Sequence, residues 1–475
     1  MLLSRAMRAI LSVLAACATI TLSAQPLSQP DWPGLEEETL RHFQALVRLD
    51  TTDPPGGEKA AAEYLKQVLE KEGIATRLFA LEAHRPNLVA RLKGSGRKRP
   101  LLIVGHTDTV NVDAKKWTVP PFSAARDGGY IYGRGTVDDK DNVVAALMAM
   151  LTLKRMNVPL DRDVIFLAEA GEEGATRVGI QYMVNQHYGE IDAEYCYAEG
   201  GGVTREGGKV KFASVQALEK LPRAVELVAR GPAGHASVPL KTNAVAHLAS
   251  AVAKAAEWRV PIRLNEITRV YFERLASISS PAAAERYRDL LRTDPKRAAA
   301  ADAYLLEHEP RHAAMIRTTI SPTMIQAGYR INVIPSEVRA TLDVRMHPRD
   351  NPEAFLQQLR AAINDPSVEV AWAARDVRPG TESARLDAEA FTAAEAALKK
   401  HYGAVTLPTM STGATDMAYL RAKGMQCYGI GPAIDIEDGP KGYGAHSDQE
   451  RILEQELHRF VRFHYDLVAA VARSQ

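Results

Sequence analysis

No basic excess marks this chain: Lys+Arg of 59 against Asp+Glu of 58 leave a formal net charge of +1 over 475 residues. Gripping a phosphate backbone takes a basic patch or stripe, so no nucleic-acid partner is expected. Long hydrophobic runs are also lacking. The most apolar stretch, Ala9 to about Leu22, is shorter than the roughly 18 to 20 apolar residues a bilayer crossing requires, so no integral membrane span is expected. Cysteine is scarce, at three residues, and none of the three has metal-ligand spacing. Internal repeats and low-complexity tracts are absent, which excludes a solenoid or a compositionally biased chain.

What remains is an ordinary folded composition, 46% hydrophobic and 25% charged, over a length that exceeds what one core usually serves. Two domains follow. At the start, Arg5 and Arg8 precede the apolar stretch, which ends in the small residues Ser23 and Ala24, so residues 1–24 read as a secretory signal and the mature chain as exported, periplasmic or secreted. Leu14-Ala-Ala-Cys17 also resembles the lipobox of bacterial lipoproteins, in which Cys17 would carry the lipid anchor; cleavage after Ala24 and cleavage before Cys17 both stay open. Cys196 and Cys427 lie in runs that look like buried strands, and spacing does not decide between a disulfide and two free thiols.

Helical apolar spacing at Leu40, Phe43, Leu46 and Val47 opens the mature domain within Leu35 to Leu49. Strand-like runs at Asn87–Leu92, Leu101–Val104, Val164–Ala168 and Tyr195–Tyr197 then alternate with helices such as Val143 to Lys154, the pattern of an α/β layer with a mainly parallel sheet. From about Val215 two strand and helix pairs appear: Ala224–Ala229 with Asn243 to Trp258, and Val338–Arg345 with Pro352 to Ile363. They predict a small α+β unit over residues 215–385, inserted between the two parts, 31–214 and 386–475, of a larger domain. Residues 281–317 read as helical without assignable chemistry, and a long amphipathic helix from Ser447 to Val471 closes the chain.

Chemistry concentrates where strand-like runs end. Gly105-His-Thr-Asp108 follows an apolar run, and an aspartate two residues beyond His106 is placed to orient the imidazole. Gly133-Arg-Gly-Thr-Val-Asp-Asp-Lys140 turns through two glycines to deliver Asp138 and Asp139 ahead of a helix. Glu172 and Glu173 crowd two carboxylates together, which repel unless a cation or proton is shared. Glu199 follows a fourth run and His446 lies in Gly442-Tyr-Gly-Ala-His-Ser-Asp448, just before the last helix. Two histidines and three carboxylates suit a pair of zinc ions, and an unligated Glu172 beside them suits a general base.

Taken together, His106-Thr-Asp108, Gly133–Lys140, Glu172-Glu-Gly174, Gly234-His-Ala236, Asn332-Val-Ile-Pro335 and His446-Ser-Asp448 resemble the aminoacylase, glutamate carboxypeptidase and dipeptidase family of co-catalytic zinc hydrolases, over nearly all of the mature chain. The resemblance implies an α/β, zinc-peptidase-like catalytic domain with a mixed, mainly parallel sheet, plus an inserted α+β lid and dimerisation domain. It implies two zinc ions per subunit, with Asp138 bridging, His106 and Glu199 completing one and Glu173 and His446 the other. It makes Glu172 the general base, Asp108 the partner that orients His106, and the Asp138–Asp139 peptide bond cis. His235 would help stabilise the oxyanion, often in the neighbouring subunit of a homodimer; Asn332 and the loop Ser411, Thr412, Gly413 would contact substrate. Ala414 stands where that loop of the family has a second glycine, and Arg345 reads as structural or substrate-contacting. The implied reaction is cleavage of a peptide or N-acyl amide bond beside a free carboxylate. Glutamate rather than aspartate at Glu199 favours a carboxypeptidase or N-acyl-amino-acid hydrolase over a dipeptidase or aminopeptidase. A catalytically silent metal-binding protein of the same fold is the alternative of another class, against which the retained Glu172 speaks.

Overall fold

The apolar runs pair into one large mixed sheet in a computed structural model that describes residues 29–374 and 377–474; the expected signal 1–24, with Cys17, lies outside the described residues. The strand order is Ala75–Phe79, Asn87–Leu92, Val164–Glu169, Leu101–His106, Tyr195–Ala198, Gln426–Gly429, Lys209–Glu219, Gly202–Glu206 and Ala433–Asp435, and Thr406–Ser411 pairs alongside Lys209–Glu219. The middle four, Val164–Glu169 to Gln426–Gly429, run parallel. Leu101–His106 and Val164–Glu169 are buried at every residue, as parallel strands covered on both faces must be. One face carries Trp32–Val47, Lys140–Arg155 and Glu454–Ala472; the other carries Ile180–Gln186 and Met417–Arg421. Lys140–Arg155 lies buried from Lys140 to Leu153, so it shows almost no polar face.

A second core forms under an antiparallel four-stranded sheet ordered Thr319–Gln326, Glu337–Met346, Leu221–Arg230, Val368–Trp372. Its helices Ala244–Glu257 and Pro352–Ile363 pack Leu248, Phe355 and Leu359 onto Val225, Leu227, Leu342 and Val344. Buried Lys220 is the single residue between Lys209–Glu219 of the large sheet and Leu221–Arg230 of the small one, and therefore marks the joint.

Three features depart from the sequence reading. Two of the small sheet's four strands, Thr319–Gln326 and Val368–Trp372, were not anticipated. The helices Glu266–Ile278, Pro281–Leu291, Pro295–His308 and Pro310–Met315 fall inside 215–385, yet Phe272, Leu275, Leu290 and Leu305 join the core of the large sheet rather than that of the small one. The last helix begins at Glu454 rather than Ser447, because residues 447–450 form a loop and Arg451–Leu453 a strand paired with Tyr130–Tyr132. Cys196 and Cys427 are register partners on adjacent parallel strands, both buried and both free thiols. Among the described residues no helix is long and apolar enough to cross a membrane.

Candidate active site

The carboxyl ends of the parallel strands are where an open α/β sheet binds ligands. His106 is the last residue of Leu101–His106, Glu172 and Glu173 follow Val164–Glu169, and Glu199 follows Tyr195–Ala198. Asp138 arrives from the turn before Lys140–Arg155, through a cis Asp138–Asp139 peptide bond. His446 arrives from the loop after Ala433–Asp435, in a left-handed backbone conformation with φ of 60°.

These side chains meet. His106, Asp138 and Glu173 each bring one ligand atom within 4.8 Å of the others, and His106, Glu172 and Glu199 do the same. Asp138 divides its carboxylate: Oδ1 lies 3.1 Å from His106 Nε2 and Oδ2 lies 3.0 Å from His446 Nε2. Glu173 Oε1 stands 3.0 Å from that same His446 nitrogen. His106 and Asp108 are buried, whereas His446 is exposed at the mouth of the cluster.

Asp108 also reaches the glutamate turn. Its carboxylate accepts the backbone N–H of Glu172 at 3.1 Å and of Glu173 at 3.0 Å, fixing the turn that carries both glutamates. His106 Nδ1 lies 3.1 Å from the Asp108 carbonyl oxygen and 3.5 Å from its carboxylate, so the peptide carbonyl is the nearer orienting group.

The electrostatics suit the cluster to a cation. Burial pushes the Glu172 carboxyl up to about 7, against the pull of Arg378. Burial also holds Glu199 well above the usual carboxylate range, reinforced by the nearby Glu172 and Asp138. Asp138 goes the other way: despite burial, its hydrogen bonds with His106 and His446 hold it below the usual range. Crowded, desolvated carboxylates facing two imidazoles form the donor set that divalent zinc accepts, so the residues fit a metal pair. A cleft of about 960 Å³ is lined by none of them; it opens near Leu160 and Asp163, at the opposite ends of the strands, and its Arg77 and Arg91 are paired with Glu190 and Asp163.

The other expected residues lie apart from the cluster or beside it. His235 and Asn332 come together at the tip of the small sheet, where Gly234–His235 pairs with Val333–Ile334 and the Asn332 carbonyl accepts from Ala236 N at 3.1 Å. Both are exposed; His235 Nδ1 accepts from Ser237 N at 3.1 Å, and His235 makes no hydrogen bond to the cluster. Ser411 Oγ accepts Gly413 N at 3.0 Å within a loop whose later residues, Thr415 and Asp416, line a small cavity with His106 and Glu199; Thr412 is exposed. Arg345 bonds Asp343 at 3.0 Å.

Sequence reasoning missed three residues here. Glu450, fully buried, accepts Arg134 Nη1 at 2.7 Å, Gly135 N at 3.1 Å and Val137 N at 2.8 Å, binding the Asp138 turn to the His446 loop. Arg378 donates to Glu172 Oε1 at 3.0 Å and to Asp416 Oδ1 at 2.9 Å. Asp416 lies two residues beyond Ala414 in the same loop as Ser411, Thr412 and Gly413 and was within reach of it; Arg378 lies in a segment without periodicity and gave no signal.

A mixed sheet whose parallel strands end in a histidine and carboxylate centre, with an α+β unit inserted, defines a metal-dependent hydrolase. The chain belongs to peptidase family M20/M25/M40, whose sequence model matches residues 102–470. It is similar to the Dictyostelium discoideum protein named "Probable carboxypeptidase S-like 2", 27% identical across 80% of this chain and 74% of that protein. It is also similar to an N-fatty-acyl-amino acid synthase/hydrolase of Homo sapiens, 27% identical across 82% of this chain and 76% of that one. Among solved structures, an M20 family metallo-carboxypeptidase from Sulfolobus solfataricus shares the fold at a TM-score of 0.68 and 21% identity, covering 91% of this chain and 98% of the other.

Proposed function

We propose that this chain hydrolyses the amide bond of a small peptide or N-acyl amino acid next to a free carboxylate, as a carboxypeptidase or N-acyl-amino-acid hydrolase with two zinc ions. The carrying observation is the split Asp138 carboxylate, one oxygen facing His106 and the other His446, with Glu172 alongside. His106 and Glu199 would hold one ion and Glu173 and His446 the other, with Asp138 shared. When bound, such ions supply Lewis acidity toward water and a carbonyl oxygen. Glu172, raised toward 7 by burial, is poised to take a proton from the attacking water at neutral pH and to return it to the leaving nitrogen. The carboxypeptidase and N-fatty-acyl-amino acid hydrolase names of the two relatives point to the same substrate class.

The lid in this reading comprises the four-stranded sheet and its two helices, without the helices of 266–315. Its edge strand Thr319–Gln326 leaves Met324 54% and Ile325 59% exposed, with Tyr329 82% and Ile331 99% exposed in the following turn. An apolar, unpaired edge of this kind fits pairing with a second copy. In such a homodimer His235, exposed beside that edge, would serve the site across the interface. Arg5, Arg8 and the apolar stretch after them support export, and Cys17 the lipid-anchored variant of it.

A panel of N-acyl amino acids and dipeptides, run with zinc and with chelator, tests the reaction. Zinc-dependent release of free amino acid is expected, and Glu172→Ala should keep its metal while losing roughly 10²- to 10⁴-fold in turnover. Near-normal rates in that variant would refute the base assignment. For the interface, Ile325→Lys should shift the mass measured by light scattering toward the monomer.

A further inference from the structure

Arg378 touches the base without belonging to the expected site. Its side chain is 15% exposed and lies on the return path from Val368–Trp372 of the small sheet to the large domain. One end nitrogen of the guanidinium donates to Glu172 Oε1 and the other to Asp416 Oδ1, and its Cζ sits 5.9 Å from the Tyr419 ring centroid. Glu172 Oε2 accepts no hydrogen bond among the described residues. The loop that anchors the far end is itself held, since Glu219 accepts from Thr415 N at 3.1 Å and Thr415 Oγ1 at 2.8 Å.

A glutamate side chain has several rotatable bonds, and a misplaced base loses rate steeply. A planar fork gripped at both ends restricts it with little further loss of freedom. Both end nitrogens of Arg378 are already engaged, so it is poorly placed to capture a third carboxylate from substrate.

We propose that Arg378 is the positioning residue of the general base: anchored by Asp416, it clamps one Glu172 oxygen, leaves the other to handle the proton, and ties the base to the segment that carries the lid. The proposal rests on the reading of Glu172 as base.

The test measures kcat and KM on the best substrate of the panel for Arg378→Met, Arg378→Lys and Asp416→Asn, with metal content and with added ethylguanidinium. For Arg378→Met the expected result is a kcat lowered about 10- to 100-fold, KM within about twofold of wild type, full metal content, and partial recovery by ethylguanidinium. Arg378→Lys and Asp416→Asn should fall between, and if Arg378→Met does not fold, the same kcat loss in these two decides. A rise in KM at constant kcat would make Arg378 a substrate anchor, loss of metal would make it scaffold, and unchanged turnover would make it passive; each overturns the proposal. Glu172→Ala in parallel separates the failures: if it is inactive while Arg378→Met is normal, only the positioning fails, and if it is active, the base assignment itself goes.

Discussion

Glu450→Gln replaces one buried oxygen with an amide nitrogen, at a point where three donors converge. Glu450 Oε2 accepts Arg134 Nη1 and Gly135 N, and Oε1 accepts Val137 N, the amide immediately before Asp138. The other end nitrogen of Arg134 donates to the Ser447 carbonyl at 2.7 Å, directly after His446. One ion pair therefore holds both turns that present Asp138 and His446. Whichever way the glutamine amide turns, its NH2 faces at least one donor, leaving a buried group unsatisfied at about 1–3 kcal/mol. Arg134 also becomes a buried cation without its counter-charge, and breaking such a pair costs about 3–5 kcal/mol. The two effects overlap, so about 3–5 kcal/mol is the expected total. Burial pushes the Glu450 carboxyl above its usual range, so the charge is kept at a desolvation cost and its value lies in placement. Denaturant melts should show the loss of stability, and elemental analysis after dialysis against graded chelator should show metal retention weakened about 10- to 100-fold. A variant matching wild type in both would refute the idea that this pair builds the centre.

Two further outcomes are expected. Burial alone pushes buried His464 down to about 3, so as pH falls from about 6.5 the unfolded chain takes a proton the folded one refuses, and stability drops. His464→Leu should therefore raise the melting temperature more at pH 5 than at pH 8, with an extra gain of about 2 kcal/mol; equal gains would contradict this. Burial likewise pushes Lys220 down to about 7, so between 7 and about 10.4 the unfolded chain holds the extra proton and stability rises with pH. Lys220→Met should flatten that slope in melts at pH 7 and 9.5, and an unchanged slope would place its source elsewhere.

Much of the fold could be read because local and global preferences agree. Pro352–Ile363 has proline in its first turn, Asn351 accepting Ala354 N at 2.9 Å, and left-handed Asn364 at its end, and its boundaries were anticipated to the residue. Leu101–His106 announces itself by an unbroken apolar run before a histidine. The misplaced start of the last helix has an equally local cause. Ser447-Asp-Gln-Glu450 has the Ser-x-x-Glu spacing of a capping box, but the glutamate is drawn off to the Asp138 turn and the helix waits until Glu454. Thr319–Gln326 was hidden because an exposed edge strand shows no alternation of burial. Arg378 stayed invisible because its role depends on two partners distant in the chain, Glu172 and Asp416. The five candidate ligands could be read because each sits where a strand or turn ends beside glycine; their meeting point could not.

Anomalous diffraction at the zinc edge, on crystals of the zinc-loaded protein, tests that meeting point most directly. The account predicts two peaks flanking Asp138, one beside His106 and Glu199 and the other beside Glu173 and His446. A peak remote from Asp138, or no peak among these five residues, would contradict it.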